Sequence, residues 1–181
     1  MSRRSCGGTL LGMFTVHTAT TAPADARDAL AALERNIGFI PNLAGTIAGS
    51  PAALAGFVGM QSALRGSRLT ALEREVVGLT VSRFNSCAYS LAAHSRFAAA
   101  AGGSPELIGA LRSGSVLSDA RLESLRAFTA AVLEERGHVA AGELDAQDTL
   151  EVLAQIAYTT LANHVANVSG VAIDDAFAAL V

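Results

Sequence analysis

Seven side chains able to do chemistry fall within twenty residues of this chain: Glu75, Ser82, Asn85, Cys87, Tyr89, Ser90 and His94, spaced E-x6-S-x2-N-x-C-x-Y-S-x3-H. On one helix Cys87 and Ser90 are three apart and Ser90 and His94 four apart, so thiol, hydroxyl and imidazole share a face. Glu75 belongs to the preceding helix, and a reversal at Asn85-Ser86 folds it back against the thiol. A cysteine at the start of a helix meets unpaired amides and the positive end of the helix dipole, which stabilise a thiolate. His94 can then move protons along the face, Ser90 can bridge, and Glu75 can orient a partner, hold a water or exchange a proton. That is the layout of a proton relay serving a sulfur nucleophile.

Taken singly, each of these residues has a plainer reading. A lone cysteine in an alanine-rich helix is a small buried apolar residue. Glu75 follows Glu73 and Arg74 in a charged turn and can simply be solvated. Ser90 can bond back to a carbonyl of its own helix, Tyr89 can pack, and His94 beside Ser95-Arg96 can face water. Their joint spacing is what raises the chemical reading above the bland one.

The elements that must position them read as helices throughout. Pro23 and Asp25 open a first helix, with Leu30, Leu33 and Ile37 on one stripe, and Gly38 closes it. Pro41-Asn42-Leu43 starts a short second helix ending at Gly49. Ser50-Pro51 is an N-cap with proline in the first turn; that third helix carries Leu54, Phe57, Val58, Gln61 and Leu64 to Gly66. Thr70-x-x-Glu73 is a capping box for a fourth helix with Leu72, Val76, Leu79 and Phe84 near one face. Asn85 or Ser86 caps a fifth, from Cys87 to about Ala101. Ser104-Pro105-Glu106 starts another, closed near Gly114. Ser118 caps a helix with Leu122, Leu125, Phe128, Val132 and Leu133 and with Gly137 as its C-cap. The longest runs from Asp145 through Leu150, Leu153, Ile156, Ala157, Leu161, Val165 and Val168 to Gly170, and Asp174 to Leu180 forms a last short helix. No alternating β-branched run supports a strand.

The bulk composition bounds the rest. With 181 residues, 51% hydrophobic and 16% charged, the chain can build one helical domain with a real core. Its mean hydropathy of +0.39 is high for a soluble monomer and suggests apolar surface buried between subunits. All 13 basic residues are arginines. Without lysine, Schiff-base chemistry is excluded, and the arginines form no stripe that would suit nucleic acid. Cys6 and Cys87 lie too far apart in sequence to suggest a disulfide scaffold, so a reducing, cytoplasmic setting is expected. No apolar run reaches the roughly 18 residues that span a bilayer, and no membrane partner is expected. Arg3-Arg4 and the following Leu10, Leu11, Met13, Phe14 and Val16 resemble a signal peptide only faintly, because glycines and threonines dilute the run. Residues 1–20 are expected to be a peripheral leader and 21–181 the domain. His17, His94, His138 and His164 have no ligand-like pairing with acids, and no P-loop or G-x-G-x-x-G occurs, so neither metal nor cofactor is expected.

The motif resembles the redox signature of the AhpD-like carboxymuconolactone decarboxylase superfamily, E-x6-S-x2-N-x-C-x-Y-C-x3-H. Gly38-Phe39-Ile40-Pro41-Asn42-Leu43, Ser50-Pro51-Ala52 and the Leu69-Thr70 entry to the motif are also similar. The resemblance implies an all-α single-domain bundle of about six to nine helices, commonly trimeric or hexameric. It further implies a thiol-dependent hydroperoxidase or disulfide reductase. The relay residues would be Glu75, Cys87, Tyr89, Ser90 and His94, and the partners a peroxide or other small-molecule substrate and an external thiol or lipoyl-type reductant.

One position departs from the pattern. The second cysteine, which in such enzymes is the attacking thiolate, is Ser90 here. A hydroxyl is neither oxidised by peroxide nor able to form a disulfide with Cys87, so the two-cysteine cycle is closed to this sequence. Three origins fit: a replaced cysteine, a single-cysteine variant with Cys87 resolved by an outside thiol or by Cys6, or a pocket that kept the fold and lost redox chemistry. Two other functions compete. One is a lyase resembling carboxymuconolactone decarboxylase, for which Arg83, Arg96, His94 and His164 would hold an anionic lactone. The other is a non-catalytic oligomeric protein that binds a small ligand.

Overall fold

The computed structural model describes residues 12–140 and 142–178, which form nine helices and no strand. In chain order these are α1 (Ala24–Ile37), α2 (Asn42–Ile47), α3 (Pro51–Arg65), α4 (Ala71–Phe84), α5 (Ala88–Ala100), α6 (Pro105–Ser113), α7 (Ala120–Glu134), α8 (Ala146–Ser169) and α9 (Asp175–Ala178). Among the described residues no helix is long and apolar enough to cross a membrane.

The central element is α4, which packs against α5, α7 and α8. Its sequence dictates that place: Val76, Val77, Gly78, Leu79, Thr80, Val81 and Ser82 are all buried, and a helix apolar on every side must be surrounded. The capping box forms as expected. Thr70 Oγ1 accepts from the Glu73 amide at 3.2 Å and Glu73 Oε2 accepts from the Thr70 amide at 2.7 Å. One apolar cluster joins α1, α2, α3 and α9 to one side of α5 and α8 and includes Cys87; the other joins α4, α6 and α7 to Val152 and Ile156 of α8. The site lies where α5 crosses between them.

Several boundaries differ from the sequence reading. Neither Asn85 nor Ser86 caps α5; Cys87 is itself the N-cap, and its amide donates to Ser82 O at 2.9 Å. Asn85 is instead the C-cap of α4, its side-chain amide donating to Asn163 Oδ1 at 3.0 Å, and Ser86 takes up the reversal with φ of 50°. Asp119, not Ser118, caps α7, its carboxylate accepting from the Leu122 amide at 2.8 Å. A carboxylate at that position also complements the helix dipole. Gly137 lies past the end of α7, whose C-cap is Glu135. The last helix begins at Asp175, with Asp174 before it, and Leu180 lies outside the described residues. Phe84, expected on the inner face of α4, is exposed, as are Leu150, Leu153, Leu161 and Val168 of α8. Residues 12–20 run alongside α2: the His17 amide donates to Gly45 O at 3.0 Å, and Gly45 has no room for a Cβ there.

Candidate functional site

The reversal between α4 and α5 is held by a buried polar set. Asn163, wholly buried on α8, donates to Ser82 Oγ at 3.3 Å and accepts from Asn85, while Asn167 donates to Asn85 O at 3.0 Å. Ser82 and Asn85 of the motif therefore bind the turn to α8. Their role is to aim the first turn of α5.

With the turn fixed, Glu75 meets His94. His94 Nδ1 and Glu75 Oε2 are 2.6 Å apart, and the imidazole is largely buried. The carboxylate holds Nδ1 and leaves Nε2 as the nitrogen able to exchange protons. Gly78, one turn beyond Glu75 on α4, makes the approach possible. A Cβ there would lie 2.6 Å from ring atoms of His94, so only glycine lets the ring rest on the backbone of α4. Phe97 meets the imidazole edge-on with centroids 6.4 Å apart.

Glu75 and His94 open onto a cleft of about 320 Å³ that also receives Gln61, Arg65, Arg74 and Tyr158. Past His94, Phe97, Gln61 and Tyr158 it continues into a smaller, mainly apolar recess of about 70 Å³, where Ser90, Phe57 and Phe177 lie. Gln61 donates to the Tyr158 hydroxyl at 3.1 Å, and Tyr158 stacks on Phe57 with centroids 4.8 Å apart. Burial, with the charge of Glu75 second, pushes the Tyr158 phenol well above its ordinary range. It is a neutral hydroxyl at the cleft.

The remaining sequence candidates divide. Ser90 is 2% exposed, borders the inner recess and makes no hydrogen bond through its side chain among the described residues. Cys87 is wholly buried in the apolar cluster and borders neither cavity. Glu75 thus reaches the imidazole, and the thiol lies behind the site instead of facing it. Cys6 lies outside the described residues. Tyr89 is a strut: its hydroxyl donates to Asp174 Oδ2 at 2.6 Å and accepts from the Leu43 amide at 3.3 Å. Asp174 also accepts from the Asn42 amide at 3.0 Å, so one buried network ties α2, α5 and the segment before α9. Burial and then the bond to Asp174 raise the Tyr89 phenol far above its usual value. Phe177 of α9 packs on Phe39, Tyr89 and Phe97 with centroids 5.6, 6.0 and 5.5 Å away, and closes the inner recess.

The arginines suggested for an anionic substrate are elsewhere. Arg83 and Arg96 are exposed, His164 is exposed on α8, and Arg83 lies in a separate cleft against Gly114. Arg65 and Arg74 take their place at the cleft. Sequence reasoning missed these two, together with Gly78, Tyr158 and Asp174. Gln61 carried a signal, as the one polar side chain on the apolar stripe of α3. Among the described residues no group of three His, Cys, Asp or Glu side chains could hold a metal.

Comparison with known proteins agrees with this architecture. Residues 51–133 match the carboxymuconolactone decarboxylase family. No curated protein sequence matches the chain. Among solved structures, the chain is similar to an uncharacterized peroxidase-related protein with an alkylhydroperoxidase AhpD core from Ralstonia eutropha JMP134. That likeness has a TM-score of 0.80 at 23% identity and covers 91% of this chain and 93% of the other. It is also similar to an uncharacterized peroxidase-related protein from Silicibacter sp. TM1040, with a TM-score of 0.74 at 22% identity over 86% and 87% of the two chains. The debrominase Bmp8, solved as a cysteine-to-alanine variant in complex with 2,3,4-tribromopyrrole, shares the fold at a TM-score of 0.73 and 17% identity, over 87% and 89% of the chains. The carboxymuconolactone decarboxylase family match thus falls on α3 to α7, the helices that carry the motif, and the chain shares the all-α fold of these structures.

Proposed function

We infer that this chain carries an AhpD-like hydroperoxidase or disulfide-reductase site whose proton relay is intact and whose thiol cycle stops at Ser90. The observation that carries the reading is the 2.6 Å contact between His94 and Glu75, with position 90 on the same cavity wall one turn earlier. A cysteine at position 90 would be deprotonated through His94, and its thiolate would attack a peroxide oxygen, releasing an alcohol or water and leaving a sulfenic acid. Cys87, three residues earlier, would condense with it to a disulfide and release water. An external thiol or lipoyl-type reductant would return both thiols. With Ser90 in place none of these steps begins, and Cys87, sealed in the apolar cluster, does not substitute for the missing thiol.

The test is Ser90→Cys. Peroxide consumption with a dithiol reductant should be at background for the chain as it stands and rise at least about 100-fold in the variant, the range expected for a positioned acid–base group acting on a nucleophile. A folded Ser90→Cys protein no faster than its parent would refute the reading. A lactone-decarboxylating lyase is the second reading, favoured by one observation: Arg65 and Arg74 face the cleft beside His94. Release of carbon dioxide from a lactone acid by the unaltered chain, abolished in Arg65→Ala, would place it first.

The assembly belongs to the same reading. Leu150, Leu153, Leu161 and Val168 are exposed along α8, with Ala157 between them. The chain buries this edge against further copies of itself as a homo-oligomer.

A further inference from the structure

We propose that the chain as it stands is an acyl-transfer enzyme in which Ser90 is the nucleophile, His94 its general base and Glu75 the carboxylate that orients the imidazole. The proposal accepts the relay of the preceding reading but assigns it a reaction that needs no thiol.

Four features support it. Ser90 is a hydroxyl almost wholly withdrawn from solvent, without a side-chain hydrogen-bond partner among the described residues, and it borders an apolar recess. A hydroxyl left without a protein partner on a cavity wall is available to a bound molecule. His94 lies four residues on along the same helix, so its ring and the hydroxyl are one turn apart, and both line the inner recess. Its Nδ1 is already committed to Glu75 at 2.6 Å, which is the order acid, imidazole, hydroxyl that activates a serine.

The fourth feature is an electrophilic cradle. Hydrogen bonding within α5 begins at the Leu91 amide, which donates to Cys87 O at 2.9 Å. Cys87 offers no side-chain cap. The amides of Ala88, Tyr89 and Ser90 therefore have no acceptor among the described residues, and the nucleophile itself sits in that first turn. An oxyanion formed on a carbonyl attacked by Ser90 would meet these N–H groups at the positive end of a 13-residue helix. A serine, threonine or aspartate at position 87 would have filled the cradle with its own side-chain oxygen.

The cavity defines the substrate class. The inner recess of about 70 Å³ takes a short apolar acyl group. The wider cleft beyond His94, with Arg65 and Arg74 on its wall, takes an anionic alcohol or thiol portion. The substrate is thus a short-chain ester or thioester with an anionic leaving group. Ser90 Oγ attacks the carbonyl and its proton passes to His94. The carbon–oxygen or carbon–sulfur bond breaks, and the leaving group takes the proton from His94. Water, deprotonated by His94, then attacks the acyl-serine and releases the acid and Ser90. No electron is exchanged at any step.

The experiment uses the unaltered chain with no peroxide or reductant. It is treated with a fluorophosphonate and, separately, with p-nitrophenyl acetate, butyrate and octanoate. Trypsin cuts after Arg83 and Arg96, so one peptide of residues 84–96 carries Cys87, Tyr89 and Ser90, and its fragmentation locates the adduct. The expected result is a single adduct on Ser90, a burst of p-nitrophenol with acetate and butyrate larger than with octanoate, and no adduct in Ser90→Ala. Labelling should slow about 100-fold in His94→Gln. If that variant does not fold, Glu75→Gln, which keeps the shape of the side chain, supplies the rate comparison and should be at least about tenfold slower. An ester of a carboxylated phenol should outpace its neutral counterpart, and Arg65→Ala should erase the difference. Absence of an adduct on Ser90 in a cooperatively folded protein, or labelling at equal rates in Glu75→Gln, overturns the proposal. Peroxide turnover by Ser90→Cys would survive that outcome, so the two readings fail separately.

Discussion

Gly78 is the residue on which the site geometry most directly depends. Because a Cβ there would meet the imidazole at 2.6 Å, Gly78→Ala must push His94 off the backbone of α4 and lengthen its contact with Glu75. We expect a loss of about 1–3 kcal/mol of stability from overpacking. Labelling of Ser90 should fall by about 100-fold, the scale of a 1 Å misplacement. Thermal unfolding and fluorophosphonate labelling measure the two effects on one sample; wild-type values of both would show that the ring has room. Tyr89 is the second informative residue. Tyr89→Phe removes a buried hydroxyl that serves both Leu43 and Asp174 and leaves a buried carboxylate short of a donor. The expected destabilisation is about 1–3 kcal/mol, read as a lowered unfolding midpoint in urea.

At the scale of elements, the entry to α4 is fixed by charge as well as by its capping box. Arg121 of α7 donates to Glu73 at 2.7 Å and to Asp148 of α8 at 2.8 Å, so one guanidinium joins three helices. Burial by itself would raise the Glu73 carboxyl. The hydrogen bonds from Arg121 and Thr70 overcome that effect and hold it below the ordinary carboxylate value of 4.5. Because the folded value is the lower one, the stabilisation is fully present above about pH 4.5 and is lost as pH falls through the folded value. Melting followed by circular dichroism should therefore decline below about pH 4.5 more steeply for the wild type than for Glu73→Gln; parallel curves would remove Glu73 from the account. Independently of pH, Thr70→Ala should lower stability by about 1 kcal/mol, or roughly 2–4 °C in melting temperature for a chain of this size.

At the scale of the whole molecule, the proposed assembly would account for both the high mean hydropathy and the exposed leucines of α8. On α8, packed by α3 and α4, Leu150, Leu161 and Val168 lie on the free edge, and the proposed homo-oligomer would cover them. Leu161→Arg should dissociate the assembly to a particle of 18.4 kDa, measured by light scattering after gel filtration, while leaving the helical content of each subunit unchanged. A wild-type protein that already runs as a monomer at micromolar concentration would refute the assignment of this edge.

Local chemistry was legible in the residues themselves. Prolines, capping serines and terminal glycines marked most helix limits, because caps act within one turn. The acid, hydroxyl and imidazole could be proposed together because their spacing along two helices is a local matter. What the sequence could not supply was direction across the bundle. Whether Glu75 reached the thiol or the imidazole depended on where Asn163, far along the chain on α8, anchored the turn. Whether Cys87 or Ser90 faced the cavity depended on how α5 packs against α4, α8 and α9. Arg65 and Arg74 entered the site in place of Arg83 and Arg96 through the packing of α3 and α4 on α8, which brings distant segments together by burying apolar surface and which no local pattern records.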